Sequence, residues 1–257
     1  MSWVEAVAIL AAGMAAGTIN AVVGSGTLIT FPTLLAFGYP PVVANISNNI
    51  GLLPGGVSGT WGYRRELAGQ RRRLYRLAPM SVVGAVTGAL LLLWLPAEAF
   101  ARIVPVLIAV ALVLVVAQPW LQRRTAARRA ASTAPADHEP VAVVSAGTYA
   151  AGVYGGYFGA AQGVLLIGLL GSLLPESLQR VNAAKNLLSL LVNATAAVVF
   201  CLVAFDRIDW AVVALVAMGS LVGGALGASV GRRLPAPVLR GVIVLVGVVA
   251  IWRMVAA

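Results

Sequence analysis

One apolar segment, residues 16–49, limits what this chain can fold into. Its composition is that of a membrane span, yet glycines and prolines interrupt it and several asparagines lie along it. Glycine and proline break the hydrogen-bond ladder of a helix and leave backbone N–H and C=O groups free. Such groups occur at membrane depth only where protein or a water-filled cavity surrounds them. The segment therefore predicts a broken helix inside a membrane protein.

The composition of the whole chain agrees with that prediction. Of its 257 residues, 60% are hydrophobic and 10% are charged, and the mean hydropathy is +0.94. A soluble domain carries about 25% charged residues, so we expect an all-α polytopic membrane protein in the lipid bilayer. The net charge of +10 does not indicate a nucleic-acid partner. Its arginines fall in short stretches between apolar segments, as the orientation signals of membrane proteins do.

A second interrupted segment, residues 151–186, repeats the landmarks of the first in the same order. The matched landmarks are Gly17 with Gly152, Gly24 with Gly159, and Asn45-x-x-Asn48-Asn49 with Asn182-x-x-Lys185-Asn186. Repetition in register is the signature of duplication. We therefore predict a first repeat over residues 1–121, a cytoplasmic linker over 122–140 and a second repeat over 141–257.

Each repeat is expected to hold one broken or re-entrant helical hairpin and three spanning helices. Residues 27–38 and 164–174 are too short to cross a hydrocarbon core of about 30 Å, so each is expected to be the second arm of a hairpin. The longer segments are 42–63, with a kink at Pro54, then 77–95 and 103–121, and in the second half 187–205, 210–230 and 238–255. Glycine spacing, as at Gly13 and Gly17, predicts close contact between helices.

Two orientations of the halves stay open. If each broken pair crosses the membrane once, the halves are parallel, and twelve Lys and Arg residues lie inside with six outside. If each pair is a hairpin that returns to the side of the membrane from which it entered, the halves are inverted. Fifteen Lys and Arg residues then lie inside and three outside. The excess of basic residues on the cytoplasmic side favours the inverted arrangement, which is also usual for alternating access.

The central residues suggest a pocket for an anion. Lys185 is the only lysine, and an ionisable group in a membrane segment is a functional hypothesis by default. Helix starts after the glycine breaks would add N–H groups and positive dipole ends. The candidate substrate-binding residues are Gly24, Ser25, Gly26, Thr27, Asn45, Asn49, Gln162, Gly163, Asn182, Lys185 and Asn186.

Structural roles compete with these assignments. Lys185 at a helix end can instead reach toward the membrane interface, and the paired asparagines can support broken backbone as readily as they contact substrate. Asn20 and Asn193 fit better as contacts between helices. The carboxylates lie in or near predicted loops and helix ends, so no cation or proton path is indicated.

Neither a cofactor, a metal site nor an enzyme is expected. The chain has one cysteine, Cys201, and one histidine, His138, which stands in the polar linker. No nucleophile, base and acid are grouped, and no phosphate-binding loop occurs.

With these residues in view, the chain resembles the TauE/SafE family of sulfite and organosulfonate transporters, also called the 4-toluene sulfonate uptake permease family. The resemblance rests on the run from Gly17 to Gly26, Phe31-Pro32, the asparagine motif at 45–49, the run 55–65 and the second-half stretches 155–163 and 182–186. It implies a multi-pass protein of the cell (inner) membrane that carries small sulfur-containing anions such as sulfite or sulfoacetate. The alternatives are a non-transporting membrane assembly protein, and a channel or carrier for a neutral or cationic solute.

Overall fold

The computed structural model describes residues 1–131, 140–174, 176–229 and 236–256, and within these ranges the regular structure is helical throughout. The α-helices are α1 (Trp3–Val22), α2 (Thr27–Ala36), α3 (Pro41–Gly51), α4 (Leu53–Gly62), α5 (Arg71–Trp94), α6 (Ala97–Ala131), α7 (Val141–Tyr157), α8 (Gln162–Leu173), α9 (Leu178–Val203), α10 (Trp210–Ser229) and α11 (Ala236–Ala256). Residues 132–139, which include His138, lie outside the described ranges.

Five of the described helices are long and apolar enough to cross a membrane, namely α1, α5, α6 up to Trp120, α9 and α10. The helices α2 and α8 are apolar but much shorter. The chain is therefore an all-helical polytopic membrane protein, as its composition predicts.

Local sequence explains where several helices begin. Ser2 and Glu5 form a capping box at the start of α1, in which each side chain accepts from the other residue's backbone N–H. Asp209 caps α10 by accepting from the N–H groups of Ala211 and Val212, both at 3.0 Å. Pro41 is the first residue of α3, where its missing N–H costs nothing.

Two boundaries differ from the sequence expectations. The span expected over 42–63 is two helices, α3 and α4, which meet at Leu52 rather than kinking at Pro54. Proline disfavours a helical residue before it and cannot donate to the preceding turn, so the break falls on its N-terminal side. Helix α6 continues to Ala131, ten residues past the expected end at 121, because 122–131 is rich in Ala and Arg and contains neither Gly nor Pro.

Glycine contacts join helices from the two parts of the chain. Helix α1 packs along α10, where a Cβ on Gly13 would lie 2.9 Å from the carbonyl oxygen of Val216. Helix α7 packs along α5 in the same manner, with Gly152 against Ser81. These contacts confirm the close approach that the glycine spacing predicts, and they require small residues because the backbones themselves touch.

The chain reverses direction at both glycine breaks. The N–H of Gly26 donates to the side-chain oxygen of Asn20 at 2.7 Å, and Gly26 also contacts the carbonyl of Ala16. The start of α2 therefore lies beside the end of α1. In the second half, the side chain of Gln162, at the start of α8, packs against Gly155 near the end of α7. Each broken segment is thus a helical hairpin.

Contacts between loops show which connections share one end of the helix bundle. At one end, Tyr39 lies near Glu5 and Asp209, and burial followed by these two carboxylates raises the pKa of its hydroxyl. The N–H of Asp209 also donates to Ser47 at 2.9 Å. The N-terminus, the α2–α3 connection and the α9–α10 connection therefore lie together.

At the other end, the α4–α5 connection meets the α8–α9 connection. Glu176 pairs with Arg73 at 2.9 Å and with Arg180 at 2.5 Å. Gln70 donates to the carbonyl of Arg180 at 3.0 Å, and the Arg180 guanidinium donates to the carbonyl of Ala68 at 2.9 Å. This network ties a loop of the first half to a loop of the second.

The ion pairs of Glu176 make this end of the bundle sensitive to acid. Burial alone would raise the pKa of Glu176, but hydrogen bonds and charge from Arg180 and Arg73 outweigh it and hold the pKa below its ordinary value. A lowered folded-state pKa adds stability above the unfolded pKa of about 4.3, and this contribution disappears as pH falls through the folded value. We expect Glu176→Gln to lower the free energy of unfolding at pH 7 by about 1–2 kcal/mol.

Thermal unfolding in detergent across pH 3 to 8 tests this expectation. The difference in melting temperature between the wild type and Glu176→Gln should disappear as the pH falls below about 4. Asp206→Asn, which removes an exposed carboxylate at the other end of the bundle, serves as the control. A difference in melting temperature that is the same at every pH from 3 to 8 would contradict the role given to the negative charge of Glu176.

Candidate functional site

The tips of the two hairpins touch through their backbones. The N–H of Gly163 donates to the carbonyl oxygen of Gly24 at 3.1 Å, and a Cβ built on Gly24 would lie 2.5 Å from the Cα of Gly163. Gly24 has a φ of 90°, which favours glycine, and Ala161 in the other tip has a φ of 61°, which is uncommon for alanine. The glycines are needed here because two chain reversals meet with no space for side chains.

Amide side chains satisfy the carbonyl groups that the broken helices leave free. Asn182 and Asn186 of α9 both donate to the carbonyl of Ala21 near the end of α1, at 3.0 and 3.2 Å. Asn45 of α3 donates to the carbonyl of Tyr157 at the end of α7, at 3.0 Å. In both cases the amide and the helix end belong to different halves of the chain. These asparagines therefore perform the structural role that was one of their two expected roles.

Lys185 is buried among the same broken ends. Its ammonium donates to the carbonyl oxygen of Asn20 at 2.7 Å and to the side-chain oxygen of Asn186 at 2.8 Å, and the residue is 1% exposed. Its stem passes Gly163, where a Cβ would lie 2.9 Å from its Cδ. Lys185 therefore points into the protein toward the end of α1 and does not reach the membrane interface.

The charge of Lys185 has no acidic partner in the described part of the chain. The ion pairs of Glu176 with Arg73 and Arg180 lie in the loops at one end of the bundle. What faces the ammonium is the C-terminal end of α1, which carries only a partial negative charge. A buried full charge is ordinarily paired, whereas the two hydrogen-bond acceptors of this ammonium are neutral oxygens.

A small polar cavity of about 30 Å³ lies beside the tips. This is on the scale of about two water molecules. Five predicted site residues line it, namely Gly24, Thr27, Gln162, Gly163 and Asn186. Thr27 and Gln162 are the first residues of α2 and α8, so the positive ends of two half-helices border the cavity.

The other six predicted site residues lie behind this lining. Asn45, Asn182 and Lys185 bind helix ends as described above, and the N–H of Gly26 is bound by Asn20. The side chain of Asn49 donates to Asn193 at 3.4 Å. Ser25 is fully buried, and its hydroxyl has no hydrogen-bond partner among the residues that the structure describes.

The sequence-based prediction did not include several of the residues that line the cavity among the site residues. Asn20 and Asn193 line the cavity in addition to making the expected contacts between helices, with Gly26 at the start of α2 and with Asn49 of α3. Ser189 and the glycines Gly55, Gly56 and Gly59 line it and were not predicted as site residues. A signal for Ser189 was available, because Lys185, Ser189 and Asn193 are each four residues apart and share one face of α9.

Taken together, these features define an integral membrane protein in which the tips of two helical hairpins meet beside a small cavity. The family profile described as "Sulfite exporter TauE/SafE" matches residues 9–254. The chain therefore belongs to the TauE/SafE family, which confirms the resemblance seen in its motifs.

Curated relatives carry transporter names. The "Probable membrane transporter protein YfcA" of Escherichia coli strain K12 is 29% identical over 222 residues, or 86% of this chain and 77% of the relative. A "Probable membrane transporter protein" of Haemophilus influenzae is 25% identical over 246 residues, or 95% of this chain and 91% of the relative. A third, "ORF9" of Sinorhizobium sp, is 37% identical over 102 residues, or 39% of each chain. No solved structure matches the chain. The family and these names indicate a membrane transporter.

The contact between the hairpin tips leads to a stability prediction. Alanine at Gly163 would place a methyl group against the Cα of Gly24 and the Cδ of Lys185. Overpacking of this kind costs roughly 1–3 kcal/mol, so Gly163→Ala should lower the melting temperature in detergent. Gly241→Ala is the matched control, since a Cβ there meets nothing within 4 Å. Equal melting temperatures for the two variants would show that the tips do not pack as described.

Proposed function

We propose that this protein is a secondary carrier of small sulfur-containing anions, such as sulfite, sulfoacetate or other organosulfonates, that works by alternating access. The observation that carries the proposal is the buried ammonium of Lys185 at the meeting point of the two hairpins. Within the described ranges it is hydrogen-bonded only to neutral oxygens. A small anion in the adjacent cavity would supply the missing negative charge.

The cavity itself suits an anion better than a cation. Its border contains the N-terminal ends of α2 and α8 and the amides of Gln162 and Asn186. These groups present N–H donors and positive partial charge. The description of the family as sulfite exporters supports a sulfur oxyanion as the cargo.

We assign direct contact with the substrate to Gly24, Thr27, Gln162, Gly163 and Asn186, because they line the cavity. Lys185 acts from behind this lining through its charge. The remaining candidates, which are Ser25, Gly26, Asn45, Asn49 and Asn182, position the hairpin tips.

We further propose that residues 1–121 and 141–257 are inverted repeats joined by a cytoplasmic linker. Helix pairings support the two repeats, because α1 with α10 and α2 with α11 correspond to α7 with α5 and α8 with α6 when the halves are exchanged. The loop contacts support their inversion. The α4–α5 and α8–α9 connections share one end of the bundle, as inverted hairpin repeats require, and parallel halves would place them at opposite ends.

Alternating access would require the contact between the hairpin tips to open. The two hairpin tips are joined by one backbone hydrogen bond, from Gly163 to Gly24. If one half moves relative to the other, this contact opens and the cavity gains access to one side of the membrane. The network around Glu176 holds the loops of the two halves together at one end, which would be the cytoplasmic end.

The function is tested by flux of radiolabelled sulfite and sulfoacetate into proteoliposomes. We expect Lys185→Met to lower the flux of both by at least about tenfold, since hydrogen bonds and charge involving an ionised group contribute this much or more. Arg64→Met is the control, because it also removes one positive charge but at an exposed loop residue. Gel filtration and thermal unfolding check that both variants are folded.

The outcomes separate the parts of this proposal. Unchanged flux in Lys185→Met, with active wild type, would remove lysine from the mechanism. Wild-type protein that neither transports nor is thermally stabilised by sulfite, sulfoacetate, taurine or sulfate would overturn the anion carrier. Transport of, or thermal stabilisation by, neutral or cationic solutes alone would also overturn the anion carrier.

The inverted arrangement is tested by the sidedness of two exposed serines, Ser2 and Ser177. In a Cys201→Ala background, Ser177→Cys should react with thiol reagents only from the cytoplasmic side, and Ser2→Cys only from the outer side. Parallel halves require the opposite result at both positions. Labelling of right-side-out and inside-out vesicles of the cell membrane with an impermeant maleimide distinguishes the two arrangements.

A further inference from the structure

The cavity beside the hairpin tips is lined by the apolar side chains of Ala21, Leu52 and Leu190 and by two further, unlike kinds of surface. Part of it is polar and comes from α9 and the start of α8, including Ser189 and Gln162. Another part has no side chains, because Gly55, Gly56 and Gly59 of α4 present only backbone. These two parts have different consequences for a ligand.

The polar part offers two groups that the protein leaves without partners. The hydroxyl of Ser189 and the amide nitrogen of Gln162 are buried atoms that bind no other group within the described ranges. Other polar groups of the lining are engaged, since the side-chain oxygen of Asn20 accepts from Gly26 and Asn186 binds Ala21 and Lys185. Buried donors without partners are costly. A ligand with acceptor oxygens would satisfy both.

The glycines of α4 are not all explained by packing. A Cβ on Gly55 would lie 2.6 Å from the carbonyl oxygen of Ser220, so α10 requires glycine there. A Cβ on Gly59 would meet Ala21 at 3.4 Å, which is ordinary van der Waals contact. The protein can therefore hold alanine at residue 59, and helix propensity favours alanine over glycine. Close packing therefore does not require glycine at this position, which borders the cavity.

We infer that Ser189 and Gln162 donate hydrogen bonds to the oxygens of the anionic group, and that the bare surface at Gly59 sets the size of the organic group that can pass. This inference rests on the proposed function and assigns specificity within the same site. The charge of the ligand would be recognised by the field of Lys185, and its size by α4.

Three alkanesulfonates that differ only in chain length test the size filter. Methanesulfonate, ethanesulfonate and propanesulfonate carry one sulfonate each and the same charge. In proteoliposomes, Gly59→Ala should lower the ratio of propanesulfonate flux to methanesulfonate flux by about tenfold relative to wild type, which is the scale of discrimination by one methylene-sized change. Gly241→Ala should leave the ratio unchanged. An unaltered ratio in Gly59→Ala would overturn the size filter while anion transport stands.

The donor assignment is tested with the same three compounds. Ser189→Ala should lower the flux of all three by about tenfold or more, because a hydrogen bond to a charged group is lost, and should leave their ratio as in wild type. It should also reduce the thermal stabilisation by methanesulfonate. Full flux in Ser189→Ala would overturn its role as a donor. If the wild type transports none of the three sulfonates and no sulfite, the proposed function fails and this inference fails with it.

Discussion

Everything at the centre of this protein depends on how the free backbone groups of its broken helices are satisfied. Helices α1 and α7 end inside the protein, where other protein groups must bind their last carbonyl groups. Asn182 and Asn186 bind the end of α1, and Asn45 binds the end of α7. Each amide comes from the other half of the chain. The broken ends are therefore stable only while the two halves are assembled.

The binding of each broken helix end by amides of the other half explains why polar groups collect around the cavity. The helix breaks bring N–H groups and carbonyl groups to the same depth, and the chain places its only lysine among them. Close contact of the tips needs Gly24 and Gly163, and close contact of the surrounding helices needs the glycines along α1, α5, α7 and α10. Glycines bring the backbones together, and glycine at residue 59 also leaves that part of the cavity lining without a side chain. Stability and the shape of the site thus have a common origin in the glycine content.

Much of the site was predictable because its chemistry is rare in a membrane segment. Asparagines, a lysine and clustered glycines have no reason to interrupt an apolar run unless they meet one another. Gly24, Gln162, Gly163 and Asn186, which line the cavity, were predicted as candidate site residues on this ground. Ser189 was missed because a serine in a helix is common and carries little signal. Asn20 and Asn193 were assigned to contacts between helices, since one polar residue on an apolar face fits that role equally well.

The sequence by itself determined that this is a helical membrane protein, that two of its apolar segments are broken, and that its family is TauE/SafE. Those properties follow from composition and from local breaks in the helical ladder, which act over a few residues. Only the tertiary structure decided which polar groups face the cavity and which bind helix ends. Lys185 shows the difference, because its partner is the carbonyl of Asn20, 165 residues earlier in the chain. No local pattern specifies a contact between groups so far apart, since it depends on how the two halves pack.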